Sequence, residues 1–260
     1  MCVAAFAWHA HPDWPLIAIG NRDEFHERPA ASLDKWAGEP GILAGRDLQS
    51  GGTWLGVSEA GRFVLVTNLR GYGQPDPRKR SRGELVTNLL AGEADPRDAD
   101  QLALHAYNPF NLFCADVSGA RFLTNRPESV STGLAHGIYG VSNGTLDEPW
   151  AKTVYLKGAV LDWLNATSND AEPLFDALTN RAVRDMGLLP RDQSEIAVEP
   201  SETPPFICHP LYGTRCSTVV MIDRKGNGRI IERSFDAEGQ ARGEIDLEFG
   251  WKQSQAGPNP

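Results

Sequence analysis

The sequence predicts a mixed α and β protein in which two sheets pack face to face with helices outside. Three observations lead there. Strand-like runs dominate both ends of the chain, helical spacing collects in two central blocks, and no stretch approaches the ~20 apolar residues of a membrane span. Periodicity by itself establishes only the mixture; the order of the elements along the chain adds the layers.

Taken in order, Val3-Ala4-Ala5-Phe6-Ala7-Trp8 carries no charge, as expected of a strand buried on both faces. His9 through Asp13 turns the chain, and Trp14-Pro15-Leu16-Ile17-Ala18-Ile19-Gly20 returns as a second apolar strand. Such a hairpin brings residues 21–24 back beside Cys2. Residues 30–50, rich in Gly, Pro and Ala, read as an irregular crossing segment. Residues 53–57 and 62–67 form a hairpin around Glu59-Ala60-Gly61, and its second strand ends on Asn68. Ser81-Arg82-Gly83-Glu84 reads as a capping box opening a helix over 85–90. A second helix is expected over 97–106, with acidic residues in its first turn. A hairpin over 110–116 and 120–125 turns on Ser118-Gly119, and 137–142 adds a strand before Asn143.

Apolar positions at Val154, Leu156, Val160, Leu161 and Leu164 place a helix over 151–166. Another covers 172–180, with Pro173 in its first turn, where proline is tolerated. Residues 187–206 read as loop. Residues 218–223 and 229–233 pair across Lys225-Gly226-Asn227-Gly228, and 244–249 is a last short strand. The polar tail 254–260 is expected to be disordered. A single domain over residues 1–253 accommodates all of these elements.

Composition narrows the partners. With 34 acidic against 25 basic residues, a net charge of −9 argues against nucleic acid or an anionic membrane. The one basic run, Arg78-Lys79-Arg80-Ser81-Arg82, reads as a solvated loop leading into a helix. Cys2, Cys114, Cys208 and Cys216 follow no zinc spacing, so no metal is expected, even with His209 beside Cys208. His11-Pro12-Asp13 interrupts the first apolar run, which therefore does not read as a signal peptide, and a cytoplasmic compartment is expected.

Cys2 carries the chemistry. Its side chain is small enough for the initiator methionine to be trimmed, which leaves a thiol and a free α-amine on one residue. An α-amine titrates near ~8 and a free thiol near ~8.5. A nucleophile needs a base within reach, and an N-terminal nucleophile supplies both.

Several motifs accompany it. Asn21-Arg22-Asp23-Glu24, Arg28-Pro29, Gly45-Arg46-Asp47, the run from Gly51 to Gly56, and Thr67-Asn68 lie in the first part of the chain. Gly140-Val141-Ser142-Asn143, Pro149-Trp150-Ala151-Lys152 and Tyr212-Gly213-Thr214-Arg215 follow. Together they resemble the NRDE family, that of the transport and Golgi organisation protein 2, over nearly the whole chain. That family is grouped with the N-terminal nucleophile hydrolases, whose characterised members include bile-salt hydrolases and penicillin V acylases. The resemblance implies an α+β fold built as a four-layer αββα sandwich.

It also implies roles. Asp23 matches the aspartate that follows the second strand and is expected to hold the α-amine. Asn68 and Asn143 resemble the two asparagines of the oxyanion site, with Asn125 ranked below them. Arg215 resembles the late active-site arginine, expected to stabilise the thiolate. Asn21, Arg22, Glu24 and Trp54 are expected around the substrate, and Glu24 and His26 read as structural or rim residues. Alternation works against Arg22, because strand neighbours point to opposite faces and Asp23 is the one expected to face Cys2. The relatives' earlier arginine is replaced here by Gly20.

The expected activity is hydrolysis of a non-peptide amide or related acyl bond, with no cofactor required. The rival is a non-catalytic carrier of haem, acyl-CoA or lipid. It is motivated by family members linked to haem trafficking or lipid metabolism and by Trp8, His9, His11 and Trp14 at the first turn.

Overall fold

The computed structural model describes residues 2–37, 41–98, 102–166, 168–183 and 203–252. Two strands organise it. β1 (Cys2–His11) and β2 (Trp14–Phe25) form the expected hairpin, paired antiparallel with Cys2 opposite Arg22 and Ala5 opposite Ile19. β2 then pairs with β11 (Tyr212–Ile222), which continues into β12 (Asn227–Phe235) and β13 (Ala241–Gly250). β10 (Gly137–Val141) closes the other edge, giving a six-stranded sheet in the order β10-β1-β2-β11-β12-β13.

The second sheet has seven strands in sequence order. They are β3 (Ala30–Lys35), β4 (Ile42–Asp47), β5 (Leu55–Ser58), β6 (Arg62–Asn68), β7 (Phe110–Asp116), β8 (Gly119–Thr124) and β9 (Val130–Leu134). The two sheets face each other across one apolar layer that includes Phe6, Leu16, Phe63, Phe113 and Ile230, all buried. Helices α2 (Ala151–Asn165) and α3 (Glu172–Leu178) cover the outer face of the six-stranded sheet through Leu156, Val160 and Phe175. Helix α1 (Arg82–Ala91) covers the other sheet through Leu85, Val86 and Leu89. The result is the αββα order of layers. Strand alternation produces it, since Ala4 and Phe6 face the second sheet while Val3 and Ala5 face the helices. Among the described residues no helix is long and apolar enough to cross a membrane.

Several expectations need correction. Residues 30–50 are not irregular; they supply β3 and β4. In β3 Leu33 alone is buried, so an exposed edge strand shows none of the usual apolar alternation. The helix expected over 97–106 is not formed by the described residues 102–106, which make turns and a short 3-10 helix at Leu104–Ala106. Ala103, at φ +47°, leaves the right-handed helical region there. The capping box is not formed: Ser81 is the N-cap of α1 but makes no side-chain cap, and Glu84 is turned to Arg80, with Arg80 Nη2 donating at 2.6 Å. β9 had no counterpart in the sequence reading. The tail 254–260 and residues 187–202 lie outside the described residues; 203–206 form no regular element.

Candidate active site

The register of the first hairpin fixes the site. Residues directly opposite in an antiparallel pair share a face, so Arg22 lies on the same side as Cys2. The expectation that Arg22 turns away is therefore overturned. Both line a cleft of about 540 Å³ that Asp23, Trp54, Asn68 and Arg215 also line. Trp54 reaches it over Gly20, where a Cβ would come within 3.0 Å of the indole and 2.9 Å of the Val3 carbonyl oxygen.

Cys2 is only 9% exposed. Burial pushes its thiol above the ordinary range, and the nearby Asp23 carboxylate adds to this. The positive charge of the chain terminus, a hydrogen bond from the Asp23 amide and the Arg22 guanidinium pull it back down. Asp23 is itself held, with Thr214 Oγ1 donating to Oδ1 at 2.7 Å and the Tyr212 hydroxyl donating to its carbonyl at 2.9 Å.

Asn68 ends β6 across the cleft from β1. The segment after β10 joins the two: Ser142 Oγ donates to the Cys2 carbonyl at 3.0 Å, and Asn143 Nδ2 donates to the Asn68 carbonyl at 2.8 Å. The Asn143 carbonyl in turn accepts the Arg70 amide at 2.9 Å. Asn143 is buried and is not among the residues lining the cleft. Its side-chain amide braces the Asn68 backbone.

Two more expectations change. Asn21 faces the helix layer. Its Nδ2 donates to the carbonyls of Leu178 at 2.8 Å and Pro205 at 2.7 Å, and Ser217 Oγ donates to its Oδ1 at 2.6 Å. With both donors spent and no exposure, it is a structural residue. Arg215 enters the cleft as the extra residue of a bulge, because β11 pairs Thr214 with Asp23 and Cys216 with Arg22. Its Nη1 donates to the carbonyls of Phe25, His26 and Arg28 at 2.9–3.1 Å. It thus anchors the rim, while the Arg22 guanidinium lowers the Cys2 thiol.

Glu24 lines the cleft near Arg22 and Arg28, with its Oε2 3.9 Å and 3.7 Å away respectively. Asn125 is structural, donating to the Leu104 and Tyr107 carbonyls and accepting the Phe110 amide. The aromatic and histidine group sits at the opposite end of the first hairpin, roughly 20–30 Å from Cys2 at the usual rise of a strand. None of Trp8, His9, His11 and Trp14 lines the cleft.

Comparison with known proteins shows the family and the fold. The family model for Transport and Golgi organisation 2 matches residues 1–237. The chain belongs to that family. The human Transport and Golgi organization protein 2 homolog is 34% identical over 260 residues, covering 90% of this chain and 93% of its own. The Drosophila melanogaster protein of that name is 26% identical over 262 residues, covering 90% and 92%. Among solved structures, a variant of the conjugated bile acid hydrolase of Clostridium perfringens superposes with a TM-score of 0.52 at 10% identity, covering 100% of both chains. That likeness places the family member described here in the N-terminal-nucleophile hydrolase fold.

Three cleft residues escaped the sequence reading. Cys216 and Glu232 both line the cleft, where the carboxylate bears on the thiol, and Glu232 Oε1 accepts the Leu33 amide at 2.8 Å. Burial raises both groups, Cys216 well above the ordinary thiol value. A charged residue at an inward position, two after Ile230, was the available signal for Glu232. Arg82, in the run taken for a solvated loop, lines the cleft as the first residue of α1. Among the described residues no group of three or more His, Cys, Asp and Glu could hold a metal ion.

Proposed function

We propose that this protein is a cysteine N-terminal-nucleophile hydrolase acting on a non-peptide amide or related acyl bond. The observation that carries the reading is the position of Cys2, at the start of β1 in the cleft, beside Arg22 and the Asp23 amide and across from Asn68. After removal of Met1, the Cys2 thiolate attacks the substrate carbonyl carbon. The Asn68 side chain donates to the oxyanion that forms, a kind of stabilisation typically worth ~2.7–4 kcal/mol. The α-amine of Cys2, oriented by Asp23, protonates the leaving nitrogen as the C–N bond breaks, and water then releases the acyl group from sulfur. Asn143 acts through Asn68, and Arg215 through the segment 25–28 that it ties down.

Intact mass and a panel of N-acyl amides test this reading. A chain lacking Met1, hydrolysis of at least one amide, and its loss in Cys2→Ala are expected. An electrophilic acyl probe that labels another cysteine while leaving Cys2 unmodified would refute it. Cys208 is exposed, so the labelling uses a Cys208→Ser background.

The cleft's several arginines favour a second reading, a carrier that holds an anionic ligand such as haem or an acyl conjugate without cleaving it. Visible-absorbance titration with haem separates the two. Stoichiometric binding that survives Cys2→Ala, with no amide hydrolysed, supports the carrier.

A further inference from the structure

The cleft around Cys2 is lined by charges of both signs, with Asp23, Glu24, Asp47, Asp76 and Glu232 set among several arginines. The protein carries a net charge of −9, yet Arg22, Arg28, Arg82 and Arg215 all line its cleft. Their partners decide which of them retains charge for a ligand. Arg28 is committed, its Nε donating to Asp47 at 2.8 Å and its Nη2 to Ser50 at 2.8 Å. Arg215 holds three carbonyls through Nη1.

Arg22 is different. Its nearest carboxylates are Asp47 at 3.6 Å and Glu24 at 3.9 Å, beyond hydrogen-bonding distance and both shared with Arg28. Its Nη1 is buried and has no hydrogen-bond acceptor among the described residues, although the residue is only 9% exposed. A buried guanidinium nitrogen left this way is costly, and a ligand oxygen would satisfy it.

Arg82 complements it. Nη1 donates to the Pro109 carbonyl at 2.9 Å, and the guanidinium makes no ion pair among the described residues. Burial works against its charge, while the Cys2 thiol and Glu24 favour it, which places Arg82 within electrostatic reach of the nucleophile. The ten-residue α1 begins at Arg82, with Ser81 and Gly83 also lining the cleft. That helix start is pinned by Gly52, at φ +76°, where a Cβ would lie 2.2 Å from the Gly83 carbonyl carbon. Helix N-termini attract oxyanions through their free amides.

We propose that Arg22 and Arg82, with the start of α1, form an oxyanion subsite beside Cys2, so that the molecule presented to the thiol carries a carboxylate or phosphate close to the atom attacked. This rests on the reading that Cys2 meets its substrate in this cleft. It names the substrate's charge and a specificity residue outside the family motifs.

The test uses two alkylating agents of similar size, anionic iodoacetate and neutral iodoacetamide. In each case the Cys2 thiolate forms a sulfur–carbon bond and expels iodide, so the ratio of the two rates cancels the thiolate fraction and isolates recognition of the charge. At Cys2 this ratio is expected to exceed that of a short cysteine peptide by about tenfold, the scale of one charge-assisted hydrogen bond. Arg82→Gln should bring it to the peptide value, and Arg82→Lys should restore part of it. Inorganic phosphate or acetate, at ionic strength matched with chloride, should slow iodoacetate in the unaltered protein, and the stronger competitor identifies the preferred oxyanion.

A ratio equal to the peptide's, or one unmoved by Arg82→Gln, overturns the subsite while leaving the nucleophile intact. If neither reagent modifies Cys2, the reactive-thiol reading fails instead, and phosphate alone judges the subsite. A saturable rise in melting temperature that Arg82→Gln abolishes supports it; no rise overturns it.

Discussion

Replacing Asn21 by alanine should damage the fold and spare the chemistry. The side chain is fully buried and makes three hydrogen bonds, two to the carbonyls of Leu178 and Pro205 and one from Ser217. Truncation leaves two carbonyl oxygens and a hydroxyl without their partner in a region closed to solvent. Stranding a buried polar group costs ~1–3 kcal/mol. Three neighbours that relax together place the loss at about 3–6 kcal/mol, a large share of the ~5–15 kcal/mol that holds a typical domain. A domain of this size loses ~2–4 °C per kcal/mol, so the midpoint should fall by on the order of 10 °C. Urea denaturation supplies the free energy, and alkylation of Cys2 per folded molecule supplies the functional readout. If Asn21→Ala stays within ~1 kcal/mol of the unaltered protein yet loses reactivity at Cys2, the structural role assigned to Asn21 is wrong.

Other outcomes follow from the same contacts. Because burial raises the Cys2 thiol, its alkylation rate should keep climbing with pH beyond the point where a free thiol levels off, and Arg22→Gln should shift that limb higher; stopped-time mass spectrometry measures both. In the same experiment Cys114, pushed up to about 12, and Cys216 should stay unmodified until urea opens the fold. Burial also raises Glu232, so its ionisation weakens the fold as pH rises through the folded-state value, with no penalty below the unfolded carboxylate range. Denaturation at two pH values should then find Glu232→Gln more stable by about 1 kcal/mol at pH 7 and equal near pH 3. Arg215→Ala should speed hydrogen exchange across residues 25–29, because three carbonyls lose their common donor.

Legibility in the sequence tracked how local each contact is. The first hairpin could be read because two apolar runs flank a short polar turn, and the proximity of Cys2 to residues 21–24 followed from it. Asn21 and Arg22 sit in one motif, yet their directions depend on which residue faces Cys2 across the ladder. The partners of Asn21 lie as far away as Pro205. Arg215 needed a one-residue irregularity that no spacing announces. β3 escaped because an exposed edge strand has little apolar pattern to show. Arg82 escaped because a run of basic residues looks the same in solvent or in a cleft. The order of the elements suggested two packed sheets with helices outside, the family motifs specified the αββα sandwich, and periodicity alone gave only the mixture of α and β.

The irregularity at Arg215 works as a phase slip. Without it Thr214 and Cys216, two residues apart, would emerge from the same side of β11; with it one meets Asp23 and the other meets Arg22. Excising that single position would leave the strand's length almost intact while exchanging which half of it addresses the sulfur. Insertions and deletions should therefore be tolerated at the Lys225–Gly226 turn and rejected at 215, a contrast that a codon-deletion scan along this strand would reveal directly.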